Sequence, residues 1–147
     1  MSGAPAAVPV ETAAIAEYGT QTALIVVDVQ NDFADPAGSL SVPGGMEVVA
    51  FANDQVDAAE AGGALVVFTQ DWHPPTTPHF AKDGGTWLVH CVAGTWGAEP
   101  APGLQLHGRV TRKGTGGEDG YSGFTARDPA TGVEQDTELP GSPSSEH

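Results

Sequence analysis

The segment ALIVVD, residues 23–28, is a short, unbroken, β-branched apolar run that ends in an acid. Such a run marks a strand buried on both faces, and we read it as a central strand of a parallel sheet. After a loop containing DPAG and VPGG, residues 46–60 place Val48, Phe51, Ala52, Val56 and Ala59 at spacings of three and four. Glu47, Asp54, Asp57 and Glu60 fall on other faces, so the pattern predicts a helix, closed by Gly62 and Gly63. ALVVFT at 64–69 repeats the strand pattern. Strand, helix and strand therefore form a right-handed crossover unit of an α/β sheet. A weaker third strand, GRVTRK at 108–113, follows a long loop, and no internal repeat extends beyond this alternation.

At 147 residues and 39% apolar composition, the chain fits one domain with a modest core. We expect residues 1–22 to be a poorly ordered leader without signal-peptide character, 23–139 to be the folded domain and 140–147 a disordered tail. Five basic against nineteen acidic residues give a formal charge of −14, which repels nucleic acid and anionic membranes. A single cysteine cannot form an internal disulfide, and no apolar run approaches membrane-spanning length, so a cytoplasmic location is expected.

Ligands in open α/β sheets gather at the carboxyl ends of the strands. Asp28 closes the first strand, Asp71 follows the second by two residues, and Lys113 ends the third. Any one of these is commonly a residue where the chain meets water; three on one rim suggest a site. DWHPPTTPHF, residues 71–80, combines an aspartate and two histidines with three prolines. Positions i and i+2 of an extended segment share a side, so Asp71 and His73 can face one ion, while the prolines restrict the path to His79. His90, beyond GGTW, can fold back as a fourth ligand. Three imidazoles and a carboxylate suit zinc, iron or manganese. The spacing alone leaves a surface loop as the alternative.

Several blocks together carry a resemblance: ALIVVDVQNDF, PGG, TQDWHPPTTPHF, HCV followed by GAE, and KG followed by YSGF. Their order and spacing, from about Ala23 to about Phe124, resemble the nicotinamidases of the isochorismatase-like hydrolase family. The resemblance implies a mostly parallel sheet with flanking helices and hydrolysis of nicotinamide, or a related pyridine carboxamide, to the acid and ammonia. It implies that Asp71, His73, His79 and His90 hold a divalent metal, zinc in the first instance. Asp28 and Lys113 then correspond to two members of an Asp-Lys-Cys triad, and Phe33 and Trp87 to aromatic walls around the pyridine ring.

The third triad member lies in the family in a Gly-rich turn beyond the YSGF block, and this chain has no cysteine there. Cys91, beside His90, is expected to be a small packed side chain facing away from the metal. DPATGVEQDTEL reads as leading into a helix capped by Asp136 or Thr137, with Glu138 inside, after which PGSPSSEH cannot continue a fold. We therefore expect a partial isochorismatase-like fold that lacks its C-terminal strands and helices and is inactive alone. The bare edge of the first strand is expected to favour self-association. The alternatives are a non-catalytic metal- and pyridine-binding module and the metal-bearing half of a complemented enzyme.

Other features weigh less. GTGGEDG, residues 114–120, follows a lysine where a phosphate loop would precede one, which argues against nucleotide binding. Tyr121, Ser122 and Phe124 are expected to pack near the pocket. Asp32 is expected to orient the Asp28 loop, and Gln30 and Asn31 to tie it down. His107 and His147 are read as surface residues.

Overall fold

In a computed structural model, which describes residues 17–128 and 130–136, three parallel strands form a sheet in the order β1–β2–β3. These are β1 (Ala23–Val27), β2 (Leu65–Asp71) and β3 (Arg109–Lys113). The register runs from Ala23 opposite Leu65 to Val27 opposite Thr69, and from Val67 opposite Arg109 to Asp71 opposite Lys113. Both β1–β2 and β2–β3 are parallel, so all three carboxyl ends lie on one rim. Asp71 and Lys113 become direct cross-strand neighbours there, and Asp28 follows the last residue of β1.

The apolar runs are assigned correctly as strands, and β1 has a neighbour on one side only, which leaves the bare edge expected of a partial fold. β2 is the middle strand, buried from Val66 through Asp71. The difference lies in the faces: β1 reads in the sequence as buried on both, yet Val26 is buried whereas Ile25 is 39% and Val27 61% exposed. The reason is one-sided cover. Only the Val26 face of β1 meets the helix α2 (Val48–Gly62), forming a core of Val26, Ala52, Val56, Ala59, Val66 and Phe68.

The helix begins two residues later than its pattern suggests, because residues Gly45–Glu47 form a 3-10 turn ahead of it. Its buried face is Val49, Ala52, Gln55, Val56 and Ala59. The spacing of three, four and three among the apolar members points one stripe at the sheet. Val48 and Phe51, expected on that stripe, are instead 41% and 40% exposed. Tyr18, within the segment read as a leader, packs against the same core and donates a hydrogen bond of 2.6 Å to Gln55 Oε1.

A second helix, α1 (Asn31–Ala34), is a single turn directly after β1. A two-stranded antiparallel hairpin, β4 (Thr125–Arg127) with β5 (Glu134–Asp136), completes the described elements. Asp136, one of the two expected helix caps, ends β5 opposite Thr125, and the helix expected after it lies outside the described residues. The turn between the two short polar strands is held by Asp128, whose carboxylate accepts from the Ala130 and Thr131 amides. Thr137, Glu138, the PGSPSSEH segment and most of the expected leader lie outside the described residues. No helix among the described residues is long and apolar enough to cross a membrane.

Candidate functional site

The rim formed by the three strand ends holds a buried charge cluster with Lys113 at its centre. The Lys113 ammonium lies 2.7 Å from Asp28 Oδ2 and 2.9 Å from Asp71 Oδ1, and it also donates to the Gly120 carbonyl. Burial alone would lower the Lys113 pKa, but the charges of Asp71 and Asp28 outweigh it and raise the value above that of an ordinary lysine. Asp28 has a left-handed backbone, φ 53°, which costs a non-glycine residue about 1–2 kcal/mol. Thr69 holds the carboxylate by donating a 2.7 Å bond to Oδ1, while the other oxygen faces Lys113.

Asp71 joins this charge cluster to a second one. Its Oδ2 lies 3.6 Å from His73 Nε2 and 3.5 Å from His90 Nε2. One ligand atom from each of Asp71, His73 and His90 falls within 4.8 Å of the others, the spacing of a metal site. Burial pushes the Asp71 carboxyl up, but the two imidazoles and Lys113 more than offset it and hold the group well below the usual carboxylate range. Burial likewise acts to lower His90, yet Asp71 and the Leu88 carbonyl raise it. A carbonyl can only accept, so His90 Nδ1 donates to Leu88 O at 2.6 Å, which leaves Nε2 as the nitrogen that faces Asp71, protonated toward the carboxylate or free to bind a cation in its place.

His73 tests whether the cluster suits a cation. The ring is 1% exposed, and neither of its nitrogens has a hydrogen-bond partner. A neutral imidazole has one N–H and one lone pair, and leaving either buried without a partner costs a fold roughly 1–3 kcal/mol; a cation would take the lone pair of one nitrogen. The glycines of the 114–120 loop explain how the ring is enclosed. A Cβ on Gly114 would sit 2.5 Å from the His73 ring and one on Gly120 2.8 Å from it. Both have positive φ, 76° and 78°, so glycine is required there for backbone shape and for space. Phe80, fully buried, packs edge-on against both rings, with centroids 5.5 Å away in each case.

Of the four expected ligands, the structure thus brings together Asp71, His73 and His90. His79 is not in that set, although its Nε2 is also buried without a partner. Phe33 and Trp87 line a cavity of about 220 Å³ that also reaches Asp28, Asp71, His90 and Lys113. Trp87 Nε1 donates to Tyr121 Oη at 2.8 Å, and both residues line the cavity.

Cys91 points elsewhere. It is fully buried, its Sγ faces the Gly97 carbonyl at 3.7 Å, and it does not line the cavity. The expected outcome holds for a different reason: Cys91 is in the left-handed region, φ 46°, and not in an extended segment. Burial pushes its thiol up, and Asp71, Asp32 and Asp28 add to the shift, so the thiolate is suppressed. A thiol reagent should leave the native protein unlabelled and modify it only after denaturation. Rapid stoichiometric labelling of the native chain would contradict this placement.

Sequence reasoning missed Phe80, Thr69 and the Gly-rich loop as parts of the site. The loop's seven-residue run of glycines and acids was visible, but its close approach to His73 depends on pairing with a residue 41 positions upstream, which no local pattern encodes.

Comparison with known proteins agrees with this geometry. The family profile described as the isochorismatase domain matches residues 22–125. The nicotinamidase of Saccharomyces cerevisiae is 37% identical over 100 residues, 52% of this chain and 46% of that protein. The nicotinamidase/pyrazinamidase of Mycobacterium tuberculosis is 40% identical over 108 residues, 69% of this chain and 57% of that protein. Among solved structures, the pyrazinamidase of Pyrococcus horikoshii in complex with zinc superposes with a TM-score of 0.64. It is 42% identical, with 69% of this chain and 57% of that chain covered. The chain spans about half the length of the curated relatives it matches, from 44% to 57%. The chain belongs to the isochorismatase family, and within it is nicotinamidase-like.

Proposed function

We propose that this chain carries the metal-binding and proton-handling part of an amidohydrolase that converts nicotinamide, or a related pyridine carboxamide, to the acid and ammonia. The observation that carries the reading is Lys113, buried between Asp28 and Asp71, with Asp71 shared by the imidazole cluster. Asp71, His73 and His90 would hold a divalent cation, and the family resemblance adds His79. Zinc is our choice, because a zinc complex is among the similar structures, although the donor set also suits iron or manganese. When bound, such a cation offers a Lewis-acid position for the ring nitrogen of a pyridine.

The remaining roles belong to the protein's own groups. Phe33 and Trp87 supply aromatic walls for a flat ring, and stacking orients its carboxamide. Asp28 can take a proton from an attacking thiol, and Lys113 can stabilise the resulting anion. Lys113 stays protonated through neutral pH for the electrostatic reason given above. Within the 147 residues the nucleophile itself is wanting, because Cys91 is the sole cysteine and faces away.

That last observation favours a second reading, in which the chain binds pyridine carboxamides without turnover, or acts as one half of a complemented enzyme. The exposed Ile25 and Val27 on the edge of β1 offer the place where another chain, or a second copy, would add to the sheet. Calorimetric titration of nicotinamide into the zinc-loaded chain tests the common element. Binding that a chelator abolishes is expected; equal binding with and without metal would refute the metal-assisted pocket.

A further inference from the structure

We propose that Asp32 is a positioning residue: through the Cys91 amide it fixes the direction in which His90 presents Nε2, and so sets the cluster's affinity for a divalent cation. The inference rests on the reading of Asp71, His73 and His90 as a metal site.

Asp32 lies in the single turn α1, and its carboxylate uses both oxygens on backbone donors from other loops. Oδ2 accepts from Cys91 N at 2.8 Å, and Oδ1 accepts from Ser39 N at 3.1 Å. The first of these matters most. The amide in question is the peptide group that joins His90 to Cys91, so holding it fixes the backbone torsion that follows the His90 Cα. It also holds Cys91 in a left-handed conformation, φ 46°, which a non-glycine residue does not adopt without support.

The carboxylate is also confined. A Cβ on Gly97 would lie 1.9 Å from Asp32 Oδ2, so the 90–97 loop closes directly over the acid and only glycine leaves room for it. His90 is then restrained from two sides: its Nδ1 by the Leu88 carbonyl, its main chain by Asp32. With the ring so held, Nε2 reaches to 3.5 Å from Asp71 Oδ2. Groups that orient a ligand in this way, without touching the ion, typically control metal affinity by about 10–100-fold.

The Cys91 residue also reaches His73, whose backbone N–H donates to the Cys91 carbonyl at 2.9 Å, so the route from Asp32 to the His90 ring is separated from this second one by a double-mutant cycle. Cobalt(II) affinity would be measured on the full chain by competition with a fluorescent chelator, for wild type, Asp32→Ala, His90→Ala and the double variant. We expect Asp32→Ala to weaken cobalt binding by about 10-fold or more in the wild-type background. In the His90→Ala background the same substitution should cost several-fold less, since the ring it positions is gone and only the path through the His73 backbone remains. Equal losses in both backgrounds, or no loss in either, would overturn the proposal. Should Asp32→Ala fail to fold by circular dichroism, Asp32→Asn takes its place in the same cycle. Asn keeps the volume and one acceptor oxygen, and its smaller loss must likewise shrink with His90→Ala. A wild-type chain that binds no cobalt would refute the metal reading itself, and the Asp32 role with it; binding without coupling would refute the Asp32 role alone.

Discussion

Replacing Asp71 with alanine should abolish divalent-cation binding and also cost the fold about 3 kcal/mol. One carboxylate serves two clusters here: Oδ1 meets Lys113 at 2.9 Å, and Oδ2 faces both imidazoles. Removing one partner of a buried ion pair leaves an uncompensated charge, which typically costs about 3–5 kcal/mol. The low end applies because Asp28 still contacts the ammonium at 2.7 Å. The stability loss is measured as a shift in the urea midpoint at constant slope, and the binding loss by cobalt titration. Asp71→Asn separates the two effects, since it keeps the volume while removing the charge. An Asp71→Ala protein with wild-type stability and cobalt affinity would show that the two clusters are independent of this residue.

The second large effect concerns turnover. Incubated alone with nicotinamide and zinc, the chain should release ammonia no faster than a protein-free control. Loss of the nucleophile in a hydrolase that forms an acyl-enzyme can cost on the order of 10⁶ in rate, as it does in subtilisin. Cys91 cannot substitute, being fully buried with a suppressed thiolate. Adding a polypeptide that supplies the remaining part of a related nicotinamidase, with its cysteine, should restore ammonia release, and pairing at β1 should raise the mass above 15.0 kDa in solution. Brisk hydrolysis by the chain alone, insensitive to thiol alkylation, would require a different mechanism.

Much of this was legible in the sequence, though not uniformly. ALIVVD and ALVVFT identify two parallel strands because β-branched runs of that length have few other uses, and the crossover helix fixes their relative order. Exposure was harder. Whether a run is buried on both faces depends on what packs above and below the sheet, and only the Val26 face of β1 meets α2. The helix Val48–Gly62 shows the same limit: its period is clear, but Val48 and Val49 are both apolar, and only packing chooses Val49 for the core. At the rim, Asp28, Asp71 and Lys113 could be paired in advance because strand ends in a parallel sheet share an edge. His73 and His90 followed from spacing and resemblance. The support for them did not, since Asp32, Thr69, Phe80 and the 114–120 glycines act through contacts distant in sequence.

The hydrogen bond between Trp87 and Tyr121 has a bearing on how a guest is held. It joins two exposed residues that line a solvent-open cleft of about 220 Å³. A flat guest beside Trp87 would therefore meet an indole whose tilt is set by a phenol 34 positions along the chain. Tyr121→Phe should release that tilt and weaken the nicotinamide titration by a few-fold, whereas an unchanged titration would show that the indole is oriented without it.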